Sequence, residues 1–358
     1  MKKPARFRLK NRKAAGIFCI EPSDKFSRPH RMAKEKTMKE CVWGIIGKGW
    51  IGGEMAAALN ESHKNIQAVV STTMEGGKKF ADEHLIPDVY TDYREMLKDP
   101  KINIVYIATP HSTHYQMMKD ALLAGKNVFC EKAITVNADE LEECVQIAME
   151  KDLVIMDGVT LFHMPLYQKL REEVLPELGK MKMIQVNFGS LKEDNPKNRF
   201  FSMDLAGGAL LDIGVYAVSF ARYFLSSQPD TILTTVEKYQ TGVDESSGIL
   251  LKNDQGEIAV ISLTMLAKQP KRGMAAGQKG YLEVYDFPRA DKASVTIDGV
   301  TRVIEAGQSD RALTYELEAM ENYVQDPASS RENLQRIVDV MKILTDVRRQ
   351  WGIRYPFE

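Results

Sequence analysis

Short apolar runs alternate with longer amphipathic stretches between residues 40 and 158 of the chain. Continuous apolar runs are typical of parallel strands buried on both faces, and helices of about ten to fifteen residues between them complete β-α-β units. The pattern therefore predicts an α/β first domain, residues 40–158, built on a doubly wound parallel sheet. The predicted strands are residues 42–46, 66–71, 89–90, 103–108, 127–130 and 153–156, and the predicted helices are 54–59, 75–84, 93–98, 112–124 and 138–151.

From residue 159 the pattern changes, because most strands follow one another without helices between them. Consecutive strands separated by turns indicate antiparallel pairing. Residues 159–358 are therefore predicted to form an α+β domain with a large, open, mostly antiparallel sheet. The predicted strands are 181–188, 232–239, 247–251, 257–265, 280–285, 293–297 and 301–304, and the predicted helices are 165–175, 208–225, 312–324 and 331–351. Whether the last helix packs back on the first domain is open from the sequence.

Helices are predicted to cover only one face of this second sheet. An open sheet with an uncovered face is commonly buried against another copy of the chain. We therefore expect a homodimer or homotetramer built through the C-terminal sheet.

Residues 42–53 read VWGIIGKGWIGG and place Gly47, Gly49 and Gly52 between the first predicted strand and the first predicted helix. In a Rossmann-type site such glycines make the tight turn, let the backbone approach a pyrophosphate, and bring the helix close to the strand. The stretch predicts a dinucleotide site that includes Trp50 and Ile51, and a glycine-rich turn without a ligand is the alternative.

Other candidate cofactor contacts directly follow the predicted strands, because ligands of open parallel sheets bind at the carboxyl ends of the strands. These candidates are Ser71, Thr72, Ala108, Thr109, His111, Glu131 and Lys132. Ser71 stands where an NAD site would carry an acidic residue for the ribose hydroxyls. Hydroxyl groups with Lys78 or Lys79 would suit a 2′-phosphate, so we expect NADP, with NAD possible.

Three further residues are candidates for acid–base chemistry. Lys132 ends a buried strand, where a carboxylate such as Glu131 would keep its ammonium form, and a surface Glu-Lys pair is the alternative. Asp212 and Tyr216 lie four residues apart on a predicted helix and so share one face. A phenol is a plausible proton donor once a nearby cation lowers its pKa, and a packing role for both residues is the alternative.

The histidines carry a weaker signal. His111 and His114 begin a predicted helix without a third metal ligand, so no metal site is predicted and capping or adenine-side contacts are expected. His163 follows the crossover between the predicted domains, where facing the cofactor and simple packing are equally plausible.

Charge divides the chain unevenly. Residues 1–39 hold 13 Lys and Arg against 3 Asp and Glu, a balance of +10, which leaves −11 for the remainder. We interpret residues 1–39 as a basic, disordered leader, with Met38 as the hypothetical natural first residue, because the first strand starts immediately after it. The acidic body argues against nucleic-acid binding. Without a long apolar segment or paired cysteine spacing, a cytoplasmic protein without membrane spans is expected.

Four motifs in order now resemble one family: the glycine turn, ATPHSTH at 108–114, AGKNVFCEK at 124–132 and GGALLDIGVY at 207–216. The chain resembles the glucose-fructose oxidoreductase / inositol dehydrogenase (Gfo/Idh/MocA) family, in the branch with tyrosine at the position of Tyr216, which contains dimeric dihydrodiol and xylose dehydrogenases. The resemblance implies Lys132 and Tyr216 as the catalytic pair with Asp212 as their partner. It also places Arg199 and His163 at the substrate pocket, and this branch tends to use NADP.

The family's Glu-Lys-Pro is Glu131-Lys132-Ala133 in this chain. A cis bond before alanine would cost about 2.5–4 kcal/mol, so a trans bond is predicted where the family has a cis proline bond.

These observations favour an NAD(P)-dependent dehydrogenase that transfers hydride between nicotinamide and a hydroxyl carbon of a sugar, polyol or diol. One alternative is a non-catalytic NADP-binding regulator, and another is an aldose-aldose or redox-assisted sugar enzyme with tightly bound cofactor. Substrate choice is expected to come from loops at 191–202 and 265–277.

Overall fold

Six parallel strands form the first sheet of the computed structural model, which describes residues 39–358. The predicted leader, apart from Lys39, and the hypothesis about Met38 fall outside the described residues. The strand order is β3-β2-β1-β4-β5-β6, so successive strands run outwards in both directions from the gap between β1 and β4. This reversal opens a crevice at the carboxyl ends of the central strands. The predicted parallel α/β fold is confirmed.

Strands and helices alternate through this first half, and their bounds differ from the predicted ones by a few residues at most. The strands are β1 Val42–Ile46, β2 Asn65–Val70, β3 Asp88–Tyr90, β4 Ile104–Ile107, β5 Asn127–Cys130 and β6 Ile155–Asp157. The helices are α1 Trp50–Glu61, α2 Met74–His84, α3 Tyr93–Leu97, α4 His111–Leu123 and α5 Ala138–Lys151.

The second half contains an eight-stranded sheet in the order β14-β13-β12-β11-β7-β10-β9-β8. All neighbours pair antiparallel except β7 and β10, which pair parallel. The strands are β7 Met181–Gly189, β8 Thr231–Lys238, β9 Asp244–Lys252, β10 Ile258–Thr264, β11 Gln269–Gly277, β12 Gly280–Tyr285, β13 Lys292–Ile297 and β14 Val300–Glu305. The predicted large, mostly antiparallel sheet is therefore confirmed.

The expectation of a loop over residues 265–277 is wrong for most of that segment. Strand β11, Gln269–Gly277, lies inside the sheet between β7 and β12. Its sequence QPKRGMAAG has few strand-forming residues, and Gly273 packs where a Cβ atom would lie 2.4 Å from the Phe220 ring. Pairing on both sides makes this segment a strand.

Two predicted helices of the second half contain a wider, π-helical turn. The first comprises α6 Pro165–Lys169, the π-helical segment Leu170–Val174 and α7 Leu175–Leu178. The second comprises the π-helical segment Leu210–Gly214 and α8 Val215–Phe224. Such turns often occur at functional positions, and the second one contains Asp212.

The closing helices, α9 Ala312–Gln325 and α10 Arg331–Trp351, return to the first sheet. Leu313 and Leu317 of α9 belong to the same buried core as Trp43 and Met55. In α10, the Thr345 hydroxyl accepts a hydrogen bond from the Ala138 amide at 2.9 Å. The last helix thus packs against the first half, which the sequence left open, and the division into domains at residue 158 stays a prediction.

The helices of residues 39–358 include no candidate for a membrane-spanning segment. Within residues 39–358, every helix is too short or too polar to cross a bilayer.

Leu317→Ala is expected to lower the free energy of unfolding by about 2–5 kcal/mol, because the side chain is fully buried between α9 and the first sheet. Glu318→Ala is the matched control, since its exposed side chain pairs with Arg311 only at 3.8 Å, and a change within about 0.5 kcal/mol is expected. Urea unfolding followed by circular dichroism measures both. Equal, small effects would show that α9 does not stabilise the first sheet.

Candidate active site

The three glycines of the turn after β1 have different surroundings, which explain in different ways why glycine suits each position. Gly47 has φ of 107°, and a Cβ there would lie 2.4 Å from the Ala108 carbonyl oxygen. A Cβ on Gly52 would lie 2.4 Å from the Gly47 carbonyl oxygen, so only glycine lets α1 approach the strand. Gly49 has no atom within 4 Å of its Cβ position and faces open space. Gly47 and Gly52 thus agree with the predicted tight turn and close helix packing, whereas the approach of a pyrophosphate at Gly49 stays a prediction.

Helix α1 begins at Trp50 without a side-chain cap and without an acidic residue in its first turn. The first amide groups of a helix lack partners inside the helix, and they attract anions together with the helix dipole. The open space at Gly49 leaves room for a phosphate group there. These residues therefore fit the pyrophosphate of a dinucleotide.

A cavity of about 720 Å³ starts at this turn and extends to the second sheet. Of the residues predicted from the sequence, it is lined by Gly49, Trp50, Ile51, Ala108, Thr109, His111, Glu131, Lys132, Arg199, Asp212 and Tyr216. Gly47, Gly52, Ser71, Thr72, His114 and His163 are outside its lining. The structure thus brings most of the predicted site into one cavity.

Lys132 pairs with Asp212 rather than with Glu131. The Lys132 ammonium donates hydrogen bonds to the Asp212 carbonyl oxygen at 2.8 Å and to its Oδ1 at 3.1 Å. Lys192 approaches the other carboxylate oxygen, Oδ2, at 3.7 Å. Burial opposes the charge of Asp212, but these two ammonium groups lower the pKa of its carboxyl to about 2. Asp212 is therefore ionised at neutral pH.

Tyr216 is partly buried beside this pair, with the Lys132 ammonium 5.1 Å from the centre of its ring. The expectation that a cation lowers its pKa is wrong. Burial, followed by the nearby Glu131 carboxyl, raises the pKa of the Tyr216 phenol well above its ordinary value. Tyr216 is consequently a neutral phenol and can donate a proton.

The bond between Lys132 and Ala133 is cis, so the prediction of a trans bond is wrong. Histidine rings lie against the carbonyl groups on both sides of it. His111 Nε2 lies 3.0 Å from the Lys132 oxygen, and His114 Nδ1 lies 2.9 Å from the Ala133 oxygen. The residues that the sequence suggested as caps or adenine contacts thus surround this bond. Their other ring nitrogens lie 3.0 Å from the Ala206 oxygen and 2.8 Å from the Thr109 oxygen.

His163 packs away from the cavity. Its ring lies 6.3 Å from the ring of Tyr323, and burial lowers the pKa of its imidazole to about 4. The position of His163 therefore does not support the expected role at the substrate pocket.

The end of β2 carries hydroxyl groups and no carboxylate. Ser71 is buried, and its Oγ accepts a hydrogen bond from the Thr73 amide at 3.4 Å. Thr73 caps α2 by accepting from the Gly76 amide at 3.2 Å. Of the lysines that the sequence suggested here, Lys79 approaches Glu83 at 3.9 Å instead.

Sequence reasoning missed Lys48, a residue of the glycine turn itself. Its side chain crosses the first turn of α2, where a Cβ on Gly76 would lie 2.7 Å from Lys48 Cε and 3.2 Å from Nζ. This ammonium lies where a 2′-phosphate on the ribose would be expected in a Rossmann-type site.

Several other lining residues were not singled out from the sequence. They are Thr160, Phe188, Lys192, Lys271, Asp286, Arg289, Leu313 and Glu316. Lys192 and Lys271 belong to the two segments, residues 191–202 and 265–277, that the sequence connected with the substrate. Among residues 39–358, no three His, Cys, Asp or Glu side chains are grouped so that they could hold a metal ion.

Comparisons with known proteins agree with this geometry. Residues 41–159 match the family described as "Oxidoreductase family, NAD-binding Rossmann fold", and residues 167–283 match its "GFO/IDH/MocA C-terminal domain". The trans-1,2-dihydrobenzene-1,2-diol dehydrogenase of Xenopus tropicalis is 27% identical over 333 residues, covering 88% of this chain and 99% of that protein. The enzyme of the same name from Sus scrofa is 31% identical over 68% of this chain and 74% of its own length.

Among solved structures, the 3-ketoreductase KijD10 of Actinomadura kijaniata, in complex with NADP and TDP-benzene, has a TM-score of 0.78. It is 21% identical to this chain and covers 87% of it and 98% of its own length, so it supports the fold alone. Together with the matches to both family domains, the sequence relatives confirm the resemblance: this chain belongs to the Gfo/Idh/MocA oxidoreductase family, with an NAD-binding Rossmann fold.

Proposed function

We propose that this protein is an NADP-dependent dehydrogenase or reductase that acts on a hydroxyl-bearing carbon of a sugar, polyol or vicinal diol. One observation carries the proposal: Gly49 of the open glycine turn and the Lys132–Asp212–Tyr216 group line the same cavity of about 720 Å³. A cavity of this size suits a dinucleotide end together with a small substrate. The dihydrodiol dehydrogenases among the sequence relatives support this substrate class.

The nicotinamide of a bound cofactor would supply or accept the hydride. Tyr216 is the proton donor in the direction of reduction, giving its phenolic proton to the substrate oxygen and becoming a phenolate. The Lys132 ammonium, 5.1 Å from the ring centre, offsets part of the cost that burial imposes on that negative charge. Asp212 holds Lys132 in place, and its carboxylate can accept a hydrogen bond from a neighbouring substrate hydroxyl. Arg199 and Lys192 lie at the same cavity and bound the substrate space.

Preference for NADP over NAD is supported by the absence of a carboxylate at Ser71 and by the ammonium group of Lys48 beside Gly76. An acidic residue at the position of Ser71 would bind ribose hydroxyls and repel a 2′-phosphate.

A homodimer or homotetramer through the outer face of the second sheet is part of the proposal. Paired positions across the sheet form one register row, which consists of Leu233, Leu250, Val260, Gln185, Met274, Glu283, Ser294 and Val303. Leu233, Val260 and Val303 are 61%, 42% and 62% exposed. Five of the eight residues in this row are apolar, and a sheet face with such a row suits burial against a second copy. A cytoplasmic location is also proposed, supported by the free thiols of Cys41, Cys130 and Cys144.

Lys132→Met and Tyr216→Phe are each expected to lower kcat by about a hundredfold or more, because each removes a group that acts on the transferred proton. Cofactor affinity should change little, since neither side chain contacts the glycine turn. Turnover of NADP with a panel of sugars, polyols and vicinal diols measures the first effect, and equilibrium binding measures the second. Unchanged turnover in both variants would remove these residues from the mechanism, and cofactor binding without turnover of any substrate by the unmodified protein would favour a regulator.

Lys48→Ala is expected to weaken NADP binding about tenfold, as one charge-assisted hydrogen bond is lost, and to leave NAD binding nearly unchanged. Lys79→Ala is the matched control, because that exposed lysine lies in the middle of α2 and approaches Glu83 instead. Dissociation constants for both dinucleotides test the difference. Equal loss for NAD and NADP would place Lys48 away from the 2′-phosphate.

Val260→Asp is expected to convert the oligomer into monomers, because it places a charge beside Leu250 in the apolar part of this row. Leu85→Asp is the control, since Leu85 is 84% exposed and lies at the end of α2. Light scattering during size-exclusion chromatography measures the mass. A monomeric unmodified protein, or an oligomer that survives Val260→Asp, would contradict this interface.

A further inference from the structure

Glu316 on α9 carries a buried carboxyl group that takes no part in the proposed proton transfer. The residue is 1% exposed, and both of its carboxyl oxygens are buried. The Thr160 hydroxyl is close enough to lower its pKa, yet neither oxygen has a hydrogen bond of ordinary geometry within residues 39–358. A buried polar group without a partner is costly, so such a group at a cavity indicates a missing ligand.

The position of Glu316 relates it to the dinucleotide rather than to the substrate loops. It lines the same cavity as Ile51 at the start of α1 and Leu313 one turn earlier on α9. Its neighbour Leu317 belongs to the core beneath the first sheet. Glu316 therefore lines the cavity from the side of the first sheet and the glycine turn, whereas Phe188 and Lys271 line it from the second sheet.

The surroundings keep this carboxyl group protonated. Burial, and then the Glu131 carboxyl, raise the pKa of Glu316 to about 8, with Asp157 adding to the effect and Arg289 opposing it. Glu316 in turn contributes to the raised pKa values of the Tyr106 and Tyr216 phenols. At neutral pH, Glu316 thus offers one O–H donor and one carbonyl acceptor.

A primary carboxamide has the complementary arrangement, with a carbonyl acceptor beside an N–H donor. The two groups can form a pair of parallel hydrogen bonds. Ile51 and Leu313 provide apolar walls beside Glu316, and such walls suit a flat aromatic ring better than a substrate rich in hydroxyl groups.

We infer that Glu316 receives the carboxamide of the nicotinamide ring and fixes the orientation of that ring in the cavity. The inference rests on the proposed dinucleotide-dependent function. It assigns Glu316 as a positioning residue, distinct from the proton-transferring pair of Lys132 and Tyr216.

Binding measurements test this role without relying on activity. Isothermal titration would compare NADP, its 3-acetylpyridine analogue, which lacks the carboxamide N–H groups, and 2′-phospho-ADP-ribose, which lacks the whole ring. The unmodified protein is expected to bind NADP about tenfold more tightly than the acetylpyridine analogue, because the analogue leaves a buried acceptor unpaired. Glu316→Gln, which keeps one donor and one acceptor, should retain that preference. Glu316→Leu should abolish it and leave the affinity for 2′-phospho-ADP-ribose unchanged.

The outcomes separate this inference from the proposed function. An unmodified protein that binds all three compounds without preferring NADP over the acetylpyridine analogue would overturn the role of Glu316 alone, whatever the variants do. A preference that persists in Glu316→Leu, or in Glu316→Met should the leucine variant fail to fold, would overturn it too. Failure of the unmodified protein to bind even 2′-phospho-ADP-ribose would overturn dinucleotide binding, and this inference with it.

Discussion

The buried ion pair between Lys132 and Asp212 is the contact on which the site depends. Lys132 follows β5 of the first sheet, whereas Asp212 belongs to the π-helical turn before α8, so the pair joins the two halves of the chain. Either charge alone would be strongly disfavoured at that depth. Their pairing keeps an ammonium group and a carboxylate side by side in the cavity, next to a phenol that burial keeps protonated.

The elements that the sequence predicted well are those with strong local signals. Helices α5 and α10 and strands β5 and β12 have the predicted bounds, because their apolar periodicity and their ending residues are clear in the chain itself. Strand β11 was missed because its Gly and Ala residues carry little strand preference, and only its pairing with β7 and β12 specifies it. The π-helical turns were not predicted either, because no pattern of residues in the sequence indicates them.

The residues of the candidate site divide in the same way, into those with a local signal in the sequence and those without one. Residues placed by the ends of parallel strands, such as Thr109 and Lys132, could be predicted from connectivity alone. The partner of Lys132, the cis bond after it and the raised pKa of Tyr216 depend on contacts between distant segments. Glu316 gave no signal, because a glutamate on an amphipathic helix ordinarily faces solvent and only the packing of α9 shows that it does not.

The return of α9 to the first sheet has a consequence during synthesis. Trp43 and Met55 are among the first core residues to leave the ribosome, yet their cover includes Leu313, Leu317 and Met320 from near the end of the chain. Until those residues emerge, nascent chains expose part of the nucleotide-binding half as an apolar surface, which favours aggregation or chaperone engagement. For the same reason, the nucleotide-binding half would lose part of its core if it were expressed alone. It would also lose it if it were exchanged between relatives without the C-terminal helices.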